Sequence, residues 1–195
     1  MKFLSKRPDS EIFLQNLVYK KGQDNSDLRK FLLQEQKNFC AYTEKYVQKL
    51  DSVEVEHFNS GIKFDDDYYN YYAVVRRANL YKKDEQYKGA SFVTSLFFQK
   101  ELKARIQFIK GDLVYEEIIP GDNEVVEFVD FIGLNHPDLY EDRKRHINRL
   151  KDLFIMGFDI IAHFHKYPQE LSFITAIEAE FDIDLSEFYS ESPTS

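Results

Sequence analysis

The stretch Ser52-Val53-Glu54-Val55-Glu56-His57-Phe58, the loop over 59–67, Tyr68-Tyr69-Asn70-Tyr71-Tyr72, and then Asn79-Leu80-Tyr81-Lys82 together decide the reading of this chain. Val53, Val55 and His57 alternate with Glu54 and Glu56, the two-residue period of a half-buried strand. That period predicts a strand over 52–58, paired with one over 45–50 through a hairpin turn at Asp51. Residues 59–67 carry Asn, Ser, Gly and a triple Asp and read as a loop, while the Tyr-rich segment leads into a helix predicted over 73–84. Two geometric conditions follow. Glu56 and His57 point to opposite faces of a regular strand, so they share a site only if the strand ends or twists at this pair. Asn70 and Asn79 lie half a turn out of phase in one continuous helix, so the helix must begin after Asn70.

Working outward, residues up to about Asn25 read as an extended arm, and Ser26 caps a helix over 26–38 with Leu28, Phe31, Leu32, Glu35 and Phe39 on one stripe. Residues 39–42 read as a compact turn. A hairpin over 105–117 turns at Lys110-Gly111-Asp112. Pro120-Gly121-Asp122-Asn123 is a turn and cap for a short helix over 124–132. A long amphipathic helix over 138–165 carries Ile147, Leu150, Phe154, Phe158 and Ile161 and stops before Pro168; another helix spans 169–181. The fold class is α+β, with divisions at 1–39, 40–84, 85–181 and an acidic, flexible tail over 182–195.

The 195 residues are 43% hydrophobic and include 18 Phe and 13 Tyr, too much apolar surface to remain solvated as a disordered chain. The net charge of −8 argues at first against nucleic acid, but six acids and no Lys or Arg fall within 178–195, leaving the body close to neutral. The best apolar run, 153–164, is interrupted by Asp159 and His163, so no membrane span is expected; the opening residues to Pro8 lack a secretory pattern, and a cytoplasmic location is expected. A single cysteine, Cys40, excludes an intrachain disulfide.

The order of parts from Cys40 to Lys82 resembles the HNH (ββα-metal, His-Me finger) endonuclease family. The resemblance implies a ββα-metal core, metal-dependent hydrolysis of DNA phosphodiester bonds, and roles for individual residues. His57 stands as general base, Glu56 and Asn79 as ligands of Mg²⁺ or Mn²⁺, and Asn70 as the central Asn that holds the loop and orients His57. Lys82 stands where the family's Asn-x-x-Lys ending meets a phosphate, with Arg76, Arg77 and Lys83 as further nucleic-acid contacts. The chemistry suits the parts: a histidine neutral near pH 7 can take a proton from attacking water, and hard cations prefer oxygen ligands. Many members hold zinc in two Cys-x-x-Cys pairs. Here those positions read Cys40-Ala41-Tyr42-Thr43 and Val75-Arg76-Arg77-Ala78, so no structural zinc is expected.

Leu33-Gln34-Glu35-Gln36 before Phe39-Cys40-Ala41-Tyr42, and Ile132-Gly133-Leu134-Asn135-His136-Pro137 followed by Leu139 and Arg143, look like HNH nucleases of retron and Septu-type antiphage systems. In that subgroup the nuclease works beside an ATPase of the SMC/ABC type. Two alternatives stand beside the DNA nuclease: a degenerate scaffold that binds an ATPase or nucleic acid without cutting, and an RNA-cutting enzyme. Blander readings favour Asp65-Asp66-Asp67 as loop and cap, the Tyr cluster as core, His163 and His165 as structural, Cys40 as buried, and Arg143-Lys144-Arg145-His146 as solvated charge.

Overall fold

The structure, a computed structural model, describes residues 6–63, 67–93 and 104–189. Strand β1 is Val53–His57, but its partner is β2, Tyr71–Val75, rather than the segment 45–50. The two run antiparallel with His57 opposite Tyr71, Glu56 opposite Tyr72 and Val55 opposite Ala73. The helix predicted over 73–84 is correspondingly shorter: α3 is Arg76–Asn79. The physical reason is the run Tyr71-Tyr72-Ala73-Val74-Val75, whose aromatic and β-branched side chains suit a strand covered on both faces. Segment 45–50 has no such burial to gain. Leu50 is 99% exposed, Asp51 accepts from the Gln48 amide at 2.8 Å to close a turn, and Lys45 and Tyr46 make single bridges to Ser172 and Phe39.

Helix α1, Glu11–Leu14, interrupts the expected extended arm, and α2 is Ser26–Glu35, with Asn25 rather than Ser26 at its N-cap. The hydroxyl of Ser26 turns back to Asp24. Val53, Val55, Tyr71 and Ala73 pack on Ile12, Leu28 and Leu32 from these helices. Phe58, Tyr72 and Val74 pack on the opposite side into a second core with Phe92, Phe128 and Phe131. The ribbon is thus buried on both faces. Its β2 edge is closed by a side chain: the Gln36 carboxamide donates to the Ala73 carbonyl and accepts from the Ala73 amide, both at 2.8 Å, and donates to the Phe39 carbonyl. Glu35 accepts from Tyr68 at 2.8 Å and from Ser10, anchoring α1. The Gln-rich lead-in noted in the sequence therefore serves as scaffold.

The second hairpin matches its prediction, with β3 at Ile106–Ile109 and β4 at Val114–Glu117. Helix α4, Asn123–Phe131, is capped by Asp122 as expected. The long helix divides into α5, Pro137–Ile155, and α6, Ile160–Lys166, because Gly157 takes a φ of 84° and Asp159 caps a new start by accepting from Ala162. Phe154 and Phe158, assigned to the apolar stripe, are instead 59% and 50% exposed. The helix over 169–181 contracts to α7, Ile174–Phe181, whose first turn is held by a distant residue: Glu44 accepts from the Thr175 amide and hydroxyl at 2.7 and 2.8 Å. A last helix, α8, Ser186–Tyr189, packs through Leu185 and Phe188 against the C-terminal core, so residues 185–189 do not form a free tail. Among the described residues, no helix is long and apolar enough to cross a membrane.

Arg143 departs from the solvated reading. It is 2% exposed, donates to the carbonyls of Leu113 and Leu134, and lies over the rings of Phe108 and Tyr115. Asn135 pairs with both the amide and the carbonyl of Tyr115, locking α5 to β4. His163 and His165, as anticipated, contact acids of their own domain, Glu170 and Glu187.

Two predictions arise from this architecture. Gln36→Leu leaves the Ala73 amide buried without its acceptor, while the Ala73 carbonyl keeps the Ala41 amide, and should cost about 1–3 kcal/mol, read as a lower urea midpoint. His146 is half-buried beside Arg149, and burial first, then that charge, push its pKa down to about 4. The unfolded chain takes up this proton near pH 6.5, so its contribution is intact above 6.5 and lost as the pH falls toward 4. In His146→Leu, the decline of stability between pH 6.5 and 5 should be shallower than in wild type, measured by thermal melts across that range.

Candidate functional site

His57 is the last residue of β1, and the chain leaves it into a loop that Asn70 closes. The Asn70 carboxamide accepts from the Asn59 amide at 2.8 Å and donates to the Asn59 carbonyl at 3.0 Å, while the Asn70 main-chain carbonyl accepts from the Phe58 amide. Asn70 is 1% exposed, so these bonds form in a dry setting where they hold geometry firmly. Asn70 thus ties the two ends of this loop together. Asp67 caps the turn before it, accepting from the Tyr69 amide; Asp65 and Asp66 lie outside the described residues. Tyr68, Tyr71 and Tyr72 are buried, which is the core reading of the Tyr cluster.

The strand ends at His57, yet side-chain alternation persists to that last residue. The His57 ring lies on the α1–α2 side, edge-on to Tyr19 with centroids 4.7 Å apart and to Tyr71 at 5.4 Å. The Tyr19 amide donates to the Tyr71 hydroxyl at 3.2 Å, holding the N-terminal arm over this ring. Glu56 points the other way, toward α3 and the segment after it. The condition that the strand twist to bring Glu56 and His57 to one face is not met. The second condition is met, because β2 separates Asn70 from the helix that carries Asn79.

On the Glu56 face the cations and acids are already matched. Lys82, whose side chain is 1% exposed, donates to Glu56 Oε1, to the His57 carbonyl at 2.7 Å and to Asp84 at 2.8 Å. Burial pushes the Glu56 carboxyl up from its ordinary range, and Lys82 pulls it partly back. Tyr42, buried beneath, sits with its hydroxyl 3.5 Å from Glu56 and is itself pushed up by burial and by that neighbouring carboxylate. Asn79 donates its amide to Glu54 at 2.9 Å, and Arg76 approaches the other Glu54 oxygen at 3.7 Å.

These placements revise the expected phosphate contacts. Lys82 is buried and committed to three oxygens, so it does not present its ammonium to an external phosphate here. Arg77 is exposed but bonded to Asp138 and Tyr81, each at 2.8 Å, and Lys83 to Asp130 at 2.5 Å. Arg76 remains exposed on α3. The helix therefore presents a charge-matched surface rather than a bare basic stripe.

Nor do the expected ligands fit a divalent ion as they stand. Glu56 is neutralised by an ammonium that would repel the metal, Asn79 turns its donor rather than its carbonyl toward β1, and His57 faces away. Among the described residues, no group of three or more His, Cys, Asp or Glu side chains is placed to hold a metal. At the zinc-knuckle positions, Cys40 and Ala78 are buried in one core with Val75 packed on it, and the Val75 amide approaches the Cys40 sulfur at 3.5 Å.

Sequence reasoning missed Glu54, Tyr42 and Asp84, which complete the network around Glu56 and Lys82. The period-two alternation that paired Glu54 with Glu56 was the available signal for the first; Tyr42 and Asp84 join only through tertiary packing. It also missed Arg29. This side chain lines both clefts along the outer edge of β1, one of about 870 Å³ with Lys49, Ser52 and Val53, the other of about 380 Å³ with Tyr19, Glu54 and Asn79. No family model, curated protein or solved structure matches the chain.

Asn70→Ala removes both side-chain bonds that close the loop after His57. It should cost about 2–3 kcal/mol in chemical denaturation, and faster amide exchange should be confined at first to residues 58–70.

Proposed function

We propose that this protein is a nuclease of the HNH type that hydrolyses phosphodiester bonds of DNA and works beside an ATPase partner. One observation carries the reading. The residues singled out by the resemblance converge on the end of a single strand: Asn70 clamps the loop leaving His57, and Asn79 and Lys82 reach back from α3 and the segment after it to the carboxylates of β1. The order strand, clamped loop, returning strand and short helix supports this reading.

In this reading the His57 imidazole takes a proton from water as the water oxygen attacks phosphorus. The P–O bond to the leaving oxygen breaks on the opposite side, and that oxygen acquires its proton from solvent. Asn70 fixes the backbone from which His57 projects. Exposed Arg76, with Arg29 and Lys49 in the larger cleft, offers contacts to the nucleic-acid backbone. No step is assigned to a divalent ion, because Glu56 is charge-matched by Lys82 and His57 lies on the other face.

The same two observations favour a second reading, in which the scaffold binds its partner or nucleic acid without cutting. Incubation with supercoiled plasmid in Mg²⁺ or Mn²⁺, beside EDTA and His57→Ala, separates them. The nuclease reading expects nicking that falls by about 10³-fold or more in His57→Ala, and the EDTA arm reports whether a divalent ion takes part. Cleavage retained by folded His57→Ala overturns the assignment of His57. Silence of the folded wild type with both metals, alone and with single-stranded DNA or RNA as substrate, favours the scaffold.

A further inference from the structure

The Lys82 ammonium has three N–H bonds, and the structure gives it three oxygen acceptors: Glu56 Oε1, the His57 main-chain carbonyl at 2.7 Å and Asp84 Oδ1 at 2.8 Å. The side chain is 1% exposed, and the face of Phe131 lies 5.3 Å from the nitrogen. Two carboxylates and one carbonyl converging on one buried point make a hard-oxygen set of the kind Mg²⁺ and Mn²⁺ prefer, with a lysine nitrogen at its centre. The position is well fixed. The Lys83 amide next to it donates to the Phe131 carbonyl at 2.8 Å, and the Tyr81 ring stacks on His136 at 3.7 Å.

We infer that Lys82 is the resident cation of this pocket, and that a divalent ion enters only by displacing it, onto Glu56, Asp84 and the His57 carbonyl. The ligand set differs from the one the family resemblance implies, since Asp84 and a main-chain oxygen replace Asn79. Two cations cannot share the pocket, because at these distances in a buried setting their repulsion outweighs any single contact. Binding of a divalent ion is therefore weak while Lys82 is in place. The inference rests on the nuclease reading only for the identity of the competing ion; the pocket itself is geometric.

Mn²⁺ binding by the full chain, measured by calorimetry and by loss of the free-ion paramagnetic resonance signal, tests it without any cleavage assay. Lys82→Met should bind Mn²⁺ at least about tenfold more tightly than wild type, and adding Asp84→Asn should abolish the gain. Adding Glu56→Gln to Lys82→Met should likewise abolish the gain, since Glu56 becomes a ligand once the ammonium is gone. A folded Lys82→Met that binds no more tightly than wild type overturns the inference. So does a gain that survives in both double variants, which would place the ion elsewhere. Should Lys82→Met fail to fold by circular dichroism, Lys82→Gln, which also removes the charge, decides. Plasmid cleavage dependent on His57 is a separate readout, so failure of the nuclease reading and failure of the resident-cation inference are distinguishable.

Discussion

A two-stranded ribbon of five-residue strands is marginal in water, and everything at the candidate site hangs from such a ribbon. Its stability comes from outside. One face rests on α1 and α2, the other on the aromatic core around Phe92, Phe128 and Phe131, and the β2 edge is closed by the Gln36 carboxamide acting as a surrogate strand residue. This explains why conspicuous polar residues outside the candidate site are buried. Gln36 and Arg143 each satisfy main-chain groups that would otherwise be stranded in apolar surroundings. Glu44 does the same for the first turn of α7, at a distance of 131 residues in sequence.

The α+β class, the 105–117 hairpin, the Asp122 cap and the strand character of 53–57 were legible from local pattern, because each depends on residues within a few positions of one another. The partner of β1 was not. An Asp51 turn between two short polar-apolar runs looks like a hairpin, and the true partner lies across a loop, selected by burial on both faces rather than by turn chemistry. The division of α5 from α6 was written in Gly157 and Asp159, a stop followed by a cap, but the apolar spacing across it suggested continuity. At the candidate site, the orientation of the side chains was not legible. Alternation along β1 carries His57 toward Tyr19 and Glu56 toward Lys82, and no linear motif reports which face is which.

Charge is distributed with little left over. A buried ion pair earns its place only when its remaining valences are satisfied, and Lys82 meets that condition with three acceptors in a shell closed by Phe131. On the surface, Arg77 with Asp138 and Lys83 with Asp130 are exposed pairs that contribute little to stability. Their effect is to join α3 to α5 and the segment after α3 to α4.

Gly133 shows how close that junction is. It sits at a φ of 68°, and a Cβ there would fall 2.8 Å from the Tyr81 Cβ and 3.1 Å from the Tyr81 carbonyl. The backbone at the end of α4 thus runs almost in contact with the residue before Lys82. Segments in such contact do not open one at a time: the free energy needed to fray residues 80–84 includes the cost of releasing the α4–α5 corner. The short helix beside β1, which alone would be too brief to persist, inherits the lifetime of the longest helix in the molecule.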